Sequence, residues 1–314
     1  MKDSYQTPLV SICSITYNHD KYIKDAMDGF LKQETNFPFE IVISDDCSTD
    51  NTRSLLKGYL ERFPDKIRLL LPEENLGVVK NFSTTIAACR GKYIALCEGD
   101  DYWTDPLKLQ KQVDFMEAHP ECSLCCHKVL IINTNGLRPN SVFPDIDGDK
   151  ILDSEFLYEH AFIRTSSVMY RNVDLDGLLK FLEGFKVGDS PLFYFFAQKG
   201  YIGFLDELMS AYRIHDNSLW SSQEGIDQVK RTLETRLLQR KKLHLYASKG
   251  LNRAIVDYIL NIITYYTKRG DKKNLGSFLN LGYRNFFVAS KEQRYKILKL
   301  TIKNYFPVIY DRLY

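Results

Sequence analysis

Over its first 105 residues the chain alternates short β-rich apolar runs with segments of helical periodicity, and this alternation admits few architectures. LVSICSITY, FEIVIS, KIRLLL and KYIALC read as strands, and KYIKDAMDGFLKQ, TRSLLKGYLERF and GVVKNFSTTIAACR read as the helices between them. The strands are apolar at nearly every position rather than at every second one. That is the pattern of strands buried on both faces of a parallel sheet. The fold class is therefore α/β, with a mostly parallel sheet flanked by helices. Ligands of such sheets bind outside the carboxyl ends of the strands. Tyr17, Asp45–Asp46 and Glu98–Asp101 all follow strand ends, so three loops can converge on one crevice.

Further along, TDPLKLQKQVDFMEAHP predicts a helix with Thr104 or Asp105 as its cap and Pro106 in its first turn. CSLCCHKVLIIN predicts a strand, and residues 133–150, rich in Asn, Gly, Pro and Asp, an irregular excursion. A helix near 153–160, a strand SSVMYR, a helix near 174–183, a helix DSPLFYFFAQKG capped by Asp or Ser, and a strand pair YIGFLD and LMSAYRIH follow. Beyond Asn217 the texture becomes helical and rich in Leu, Ile, Tyr, Lys and Arg. The expected division is residues 1–220 and 221–314. Charge follows it: residues 221–314 hold 19 Lys and Arg against 7 Asp and Glu, while the first 220 hold 23 against 33.

The start MKDSYQTPLV carries no apolar run, so no secretory signal is expected. The most apolar stretch, AIVDYILNIITYY, is broken by Asp257 and Asn261 and falls short of a membrane span. Seven cysteines without framework spacing argue for reduced thiols in a cytoplasm. Cys122, Cys125, Cys126 and His127 lack a second ligand pair at zinc-site spacing and read as a core strand.

Chemistry concentrates in two loops. In LCEGDDYW a buried strand runs into Glu98, Asp100 and Asp101, beside Gly99 and the aromatic pair Tyr102–Trp103. Oxygen ligands so grouped suit a hard divalent cation; the alternative is a solvated turn before a helix. In SDDCSTDNT, Ser48 or Asp50 suits a helix cap, whereas Asp45 and Asp46 can accept from the ring N–H of a base. Tyr17 offers a flat face for stacking that ring. Neither a G-x-G-x-x-G nor a G-x-x-x-x-G-K-[ST] cradle is present. A nucleoside diphosphate here would need a metal to neutralise it, and the acidic cluster would supply that metal's ligands.

PLVSICSITYNHDKYI, FEIVISDDCSTDNT and GKYIALCEGDDYWTDPLKLQKQ resemble the nucleotide-sugar domain of family 2 glycosyltransferases, with a match from about Pro8 to His215. The resemblance implies a GT-A fold, an inverting transfer from a UDP-sugar, and a Mn2+ or Mg2+ ion. It implies that Tyr17 and Asp46 contact uracil and that Asp100 and Asp101 form the acidic motif at the diphosphate and metal, preceded here by Glu98. Lys80 corresponds to a nucleotide contact. Asp189, at the start of GDSPLFYFFAQKG, corresponds to the base that deprotonates the acceptor, although by itself an Asp before Ser-Pro reads as a helix cap. Arg213 and His215, in YRIH, correspond to residues closing over the diphosphate, with His215 an added metal ligand. The acceptor class implied is a glycan or a lipid-linked glycan in bacterial surface polysaccharide assembly, at the inner face of the membrane.

Residues 221–314 interleave Lys and Arg with Leu, Ile, Tyr and Phe, as in KEQRYKILKLTIKNYFPVIY. That pattern suits an anionic membrane surface, a cap on the catalytic domain, or self-association. Nothing resembles a nucleic-acid-binding motif. Two other functions compete with transfer: a nucleotide- or sugar-binding module without catalysis, and a sugar-nucleotide pyrophosphorylase. The second would need a glycine-rich basic loop where ITYNHDKY stands.

Overall fold

The computed structural model describes residues 7–134, 139–215 and 225–313. The chain divides into two compact units, Met1–Leu157 with Phe162–Asp216, and Tyr158–Ala161 with Asn217–Tyr314. In the first, β1 (Val10–Thr16), β2 (Phe39–Asp45), β3 (Ile67–Leu70) and β4 (Tyr93–Leu96) alternate with α1 (Ile23–Leu31), α2 (Thr52–Arg62) and α3 (Val78–Ala88). These strands pair in parallel in the order β3-β2-β1-β4. Every residue of β1 is buried, the polar Ser11, Ser14 and Thr16 included. From α1, Ile23, Ala26, Met27 and Phe30 join Ile12, Ile41 and Ala95 in one core. Each buried Ile, Met or Phe side chain among them contributes about 1.5–3 kcal/mol.

The sheet continues as β9 (Met169–Arg171), β6 (Cys122–Asn133), β10 (Tyr201–Ile214) and β5 (Tyr102–Trp103), giving a mixed sheet with a parallel heart. Several local expectations change. The strand pair expected at 201–215 is one long strand, β10, parallel to β6, whose register shifts between Leu205 and Leu208. A bulge there absorbs the polar Asp206–Glu207 without ending the strand. The 133–150 excursion carries two short strands, β7 (Ser141–Phe143) on β6 and β8 (Lys150–Leu152) on β10; residues 135–138 lie outside the described ones. In SSVMYR only Met169–Arg171 is strand. Ser166 and Ser167 belong to a 3-10 turn, Thr165–Ser167, in which Ser167 Oγ donates to the Arg164 carbonyl at 2.7 Å, a local bond that competes with the ladder.

The helix expected from Thr104 starts at Lys108 (α4, Lys108–Ala118), with Asp105 accepting the Leu107 N–H at 2.8 Å. The helix α5 (Ser154–His160) and α6 (Leu175–Leu182) lie where periodicity puts them. In α7 (Asp189–Ala197) the cap position is Gly188, so Asp189 lies inside the first turn rather than capping it. All seven cysteines are free, and Cys122, Cys125, Cys126 and His127 are buried along β6 as core.

The second unit holds α8 (Gly225–Lys242), α9 (Lys249–Arg269), α10 (Lys272–Arg284), α11 (Lys291–Tyr305) and α12 (Pro307–Leu313). Ser248 caps α9, Asp271 caps α10, and Ser290 with Gln293 forms a capping box on α11. Val256 and Leu260 of α9 meet Ala289 and Ile297 in its core. No described helix is long and apolar enough to cross a membrane.

Candidate active site

The site forms where β1, β2 and β4 end. Thr16 pairs with Asp45 across the sheet. A Cβ on Gly99 would stand 2.7 Å from Thr16 Oγ1, so only glycine lets the loop after β4 lie against the end of β1. The loops after β1 and β2 are stitched together. Ser48 Oγ accepts the Asn18 N–H at 2.8 Å, Thr52 Oγ1 the His19 N–H at 2.8 Å, and Asp50 Oδ2 the Asp20 N–H at 3.0 Å. Asp50 Oδ1 also takes the Thr52 N–H at the start of α2. The Ser-Thr-Asp run is therefore a clamp on the first loop; the cap position of α2 is Asn51, not Ser48 or Asp50, and it makes no side-chain cap bond. Beside it the Tyr17 ring is 43% exposed, open for stacking.

The two carboxylates at the end of β2 divide their work. Asp45 is fully buried: its Oδ2 accepts from Arg53 Nε at 2.8 Å, while its Oδ1 has no hydrogen-bond partner among the described residues. Asp46 accepts the Leu76 and Gly77 amides at 2.7 and 3.0 Å, while Asn75 Nδ2 donates to its carbonyl at 2.9 Å. Gly77 has φ +77°, a conformation that other residues enter at a cost. Asp46 thus fixes the 75–77 turn that leads into α3. Lys80 is exposed on that helix, with its carbonyl accepting from Thr84 Oγ1.

The acidic loop is the electrostatic centre. Asp100 Oδ2 lies 3.1 Å from His215 Nε2 and 3.7 Å from His19 Nε2. Burial raises the proton affinity of Asp100, but the two histidines outweigh it and hold the carboxyl below its ordinary range. Asp101 Oδ1 accepts the Arg213 N–H at 2.8 Å, yet burial and then Asp100 push its pKa well above the ordinary value. Glu98 is raised likewise, by burial and by the charges of Asp100, Asp189 and Asp101. Asp189, from a distant part of the chain, is thus near enough for its charge to bear on Glu98, and its Oδ2 accepts from Thr165 Oγ1 at 3.2 Å. Asp100 Oδ1 and Asp101 Oδ2 are buried without a hydrogen-bond partner among the described residues. Unsatisfied, mutually repelling oxygens are the donor set of a hard divalent cation, so the residues fit one. Among the described residues no three His, Cys, Asp or Glu side chains already form a cage.

Four residues acquire roles that sequence reasoning missed or misassigned. Arg213, expected over the diphosphate, is instead almost wholly buried. It donates to the Asp100 carbonyl at 2.7 Å and to Asp25, and stacks 4.3 Å from the Tyr102 ring; it braces the acidic loop. Trp103, a candidate site aromatic, turns inward: its Nε1 donates to the Ser166 carbonyl at 2.9 Å and its ring packs 4.9 Å from Phe30. His19 comes beside Asp100, with ring centres 6.2 Å from His215 and 6.5 Å from Tyr22; the ITYNH motif could have signalled it. Arg164, stacked 4.0 Å from Phe143, feels both Asp189 and Asp101 while burial lowers its pKa. No motif around Arg164 marks it. Asp46 is at the same sheet edge through Thr16, whose carbonyl accepts the Asp46 N–H at 2.9 Å.

The model of the family described as Glycosyl transferase family 2 matches residues 11–177. The Mycobacterium tuberculosis protein Rv1520 is 41% identical over 217 residues, 68% of this chain and 61% of that protein. The chain thus spans about three fifths of the length of the mycobacterial relatives it matches. Staphylococcus aureus TarS 1–349, solved in complex with UDP-GlcNAc, is 19% identical with a TM-score of 0.65, over 94% of this chain and 88% of that one. The mannosyltransferase PcManGT of Pyrobaculum calidifontis, solved with GDP-Man and Mn2+, is 17% identical with a TM-score of 0.55, over 96% of this chain and 88% of that one. At such identities the likeness establishes the fold, which is that of the GT-A glycosyltransferases.

Proposed function

The chain belongs to glycosyl transferase family 2, and on that premise we propose that it transfers a sugar from a UDP-sugar to an acceptor hydroxyl with inversion. The observation that carries the reading is that Glu98, grouped with Asp100 and Asp101, also feels the charge of Asp189 across some ninety residues of chain, while Thr165 fixes Asp189 through its Oδ2. One carboxylate stands near a cluster that suits a cation and a diphosphate, as a single displacement requires. Asp189 takes the proton of the acceptor hydroxyl as that oxygen attacks the anomeric carbon from the side opposite the diphosphate. The sugar–phosphate bond breaks in the same step, so no covalent intermediate with the chain forms.

The residues prepare this step. Thr165 holds Asp189 Oδ2, which leaves Oδ1 for the acceptor, and the first turn of α7 presents its positive end to the anion. The exposed Tyr17 ring stacks the uracil. Asp46 shapes the nucleotide side through the 75–77 turn it holds, and Lys80 stands one turn further along α3. His19 and His215 keep Asp100 ionised, and Arg213 fixes the loop from behind. A divalent cation, Mn2+ or Mg2+, would be held by Asp100, Asp101 and His215, where it would offset charge on the departing diphosphate. The acceptor in this reading is a glycan or lipid-linked hydroxyl of surface polysaccharide assembly.

The test is UDP release over a panel of UDP-sugars with Mn2+ present, together with UDP binding by calorimetry. Asp189→Asn is expected to lower turnover by about 10²–10⁴-fold and to leave UDP affinity unchanged. Near-normal turnover in that variant would remove Asp189 from its role. A wild-type chain that binds UDP but turns over no donor would instead be a binding module.

A further inference from the structure

The C-terminal stretch carries a surface that the transfer step does not use. Among the described residues, ten of the eighteen large apolar side chains left exposed lie between Tyr283 and Leu313. They are ordered rather than scattered. On α11 the exposed Tyr295, Leu298 and Tyr305, with the half-buried Ile302 among them, recur at helical spacing, on the side away from the buried Gln293 and Ile297. Phe287, 87% exposed, stands just before this helix, and Phe306, 54% exposed, just after it. Lys296, Lys299 and Lys303 border the stripe along one edge; Lys303 Nζ lies 5.6 Å from the Tyr310 ring centre. Residues 283–313 hold seven Lys and Arg against two Asp and Glu.

From this arrangement we propose that the outer face of α11, with the turns at both of its ends, is a lipid-contact surface for anionic bilayers. An apolar stripe bordered by lysines is the composition of a helix that lies in the headgroup plane. At about 1.5 Å per residue α11 is too short to span a bilayer, as well as too charged. Lys296 already pairs with Glu292 at 2.7 Å. On a bilayer Lys299 and Lys303, which lie 5.6 to 6.0 Å from tyrosine ring centres, would extend to lipid phosphates while the rings enter the acyl boundary. Tyr suits that boundary because one end is apolar and the other polar. A second copy of the chain is the poorer occupant. Two-fold pairing sets the same patch against itself and would bring like-charged lysines together, whereas an anionic bilayer supplies the opposite charge.

The test needs no sugar, so its failure and that of the transferase reading are distinguishable. The full chain is floated with vesicles of phosphatidylcholine alone and with phosphatidylglycerol added, at low and high salt. Flotation is expected only with phosphatidylglycerol and is expected to weaken with salt. Lys299→Gln with Lys303→Gln should weaken partition by about fivefold per residue. Leu298→Ser with Phe306→Ser should abolish it, and UDP release in solution should not change in either variant. Flotation equal on both vesicle types, flotation unaffected by the variants, or no flotation overturns the proposal. So does a lipid-free dimer, seen by sedimentation, that Leu298→Ser dissolves.

Discussion

The acidic edge of the sheet and the outer face of α11 break one rule in opposite directions. At the first, Glu98, Asp100 and Asp101 crowd charge into a site where burial raises two of the three. At the second, Tyr295, Leu298 and Phe306 leave apolar surface in water. A folded chain tolerates either only at a cost in stability, and each is the mark of a surface meant for a ligand. On the two proposals the ligand is chosen differently: by a few oxygens at fixed positions at the acidic edge, and by an apolar stripe with a basic border at the helix face.

Lys108 sharpens the contrast, because it is a buried charge without a ligand site. It is fully buried, with Nζ 2.6 Å from Gln112 Oε1 and 4.0 Å from the Trp103 ring centre. If the acidic edge is functional and Lys108 structural, substitutions at the two must behave differently. The largest effect is expected at Asp101→Asn, which keeps an oxygen for the Arg213 N–H. Turnover, followed as UDP release, should fall about a thousandfold through several kcal/mol of lost charge stabilisation. The Tm of the metal-free chain should nevertheless rise. A variant that lost both activity and stability would make Asp101 a structural residue.

Lys108→Met should leave turnover intact and stabilise the chain near pH 6 by about 1–4 kcal/mol, measured by urea unfolding. Burial lowers the Lys108 pKa from 10.5 to about 7. Between those values the unfolded chain holds the proton and the folded chain does not. The Lys108 contribution to stability therefore rises with pH across that window, and the variant should lose this rise. Glu98 and Asp101 act with the opposite sign. Their pKa values are raised on folding, so above the ordinary carboxylate range the folded chain holds protons the unfolded chain has lost. Metal-free stability should then fall as pH climbs above that range, each group costing up to about 1.4 kcal/mol per pH unit. Mn2+ or Glu98→Gln should flatten the fall.

Smaller effects complete the comparison. Tyr17→Ala should weaken UDP binding about tenfold by calorimetry, the value of one stacked base, with no change in Tm. Phe287→Ser, at a side chain 87% exposed, should change unfolding free energy by less than about 0.5 kcal/mol. A larger loss would mean that this surface is covered in the folded chain.

Much of the molecule is written locally. Each strand of β1 to β4 is a short apolar run, and each helix between them has its own periodicity, so their order needs no knowledge of the rest. The acidic residue types, the absence of a glycine-rich cradle and the basic, aromatic C-terminal region are equally plain in the sequence. What each of those residues does is decided elsewhere. Asp189 reads as a helix cap until β9 and the 3-10 turn bring Thr165 beside it and Glu98 within reach of its charge. Asp45 and Asp46 are adjacent and alike, yet Arg53 takes one and the 75–77 amides the other. Trp103 and Arg213 look like site residues until β5 pairs with β10 and turns the indole inward and the guanidinium behind the loop. The physical reason is separation along the chain. Periodicity and capping act over a few residues, whereas the meeting of residues 98–101, 165, 189 and 213–215 depends on a strand order that no local signal encodes.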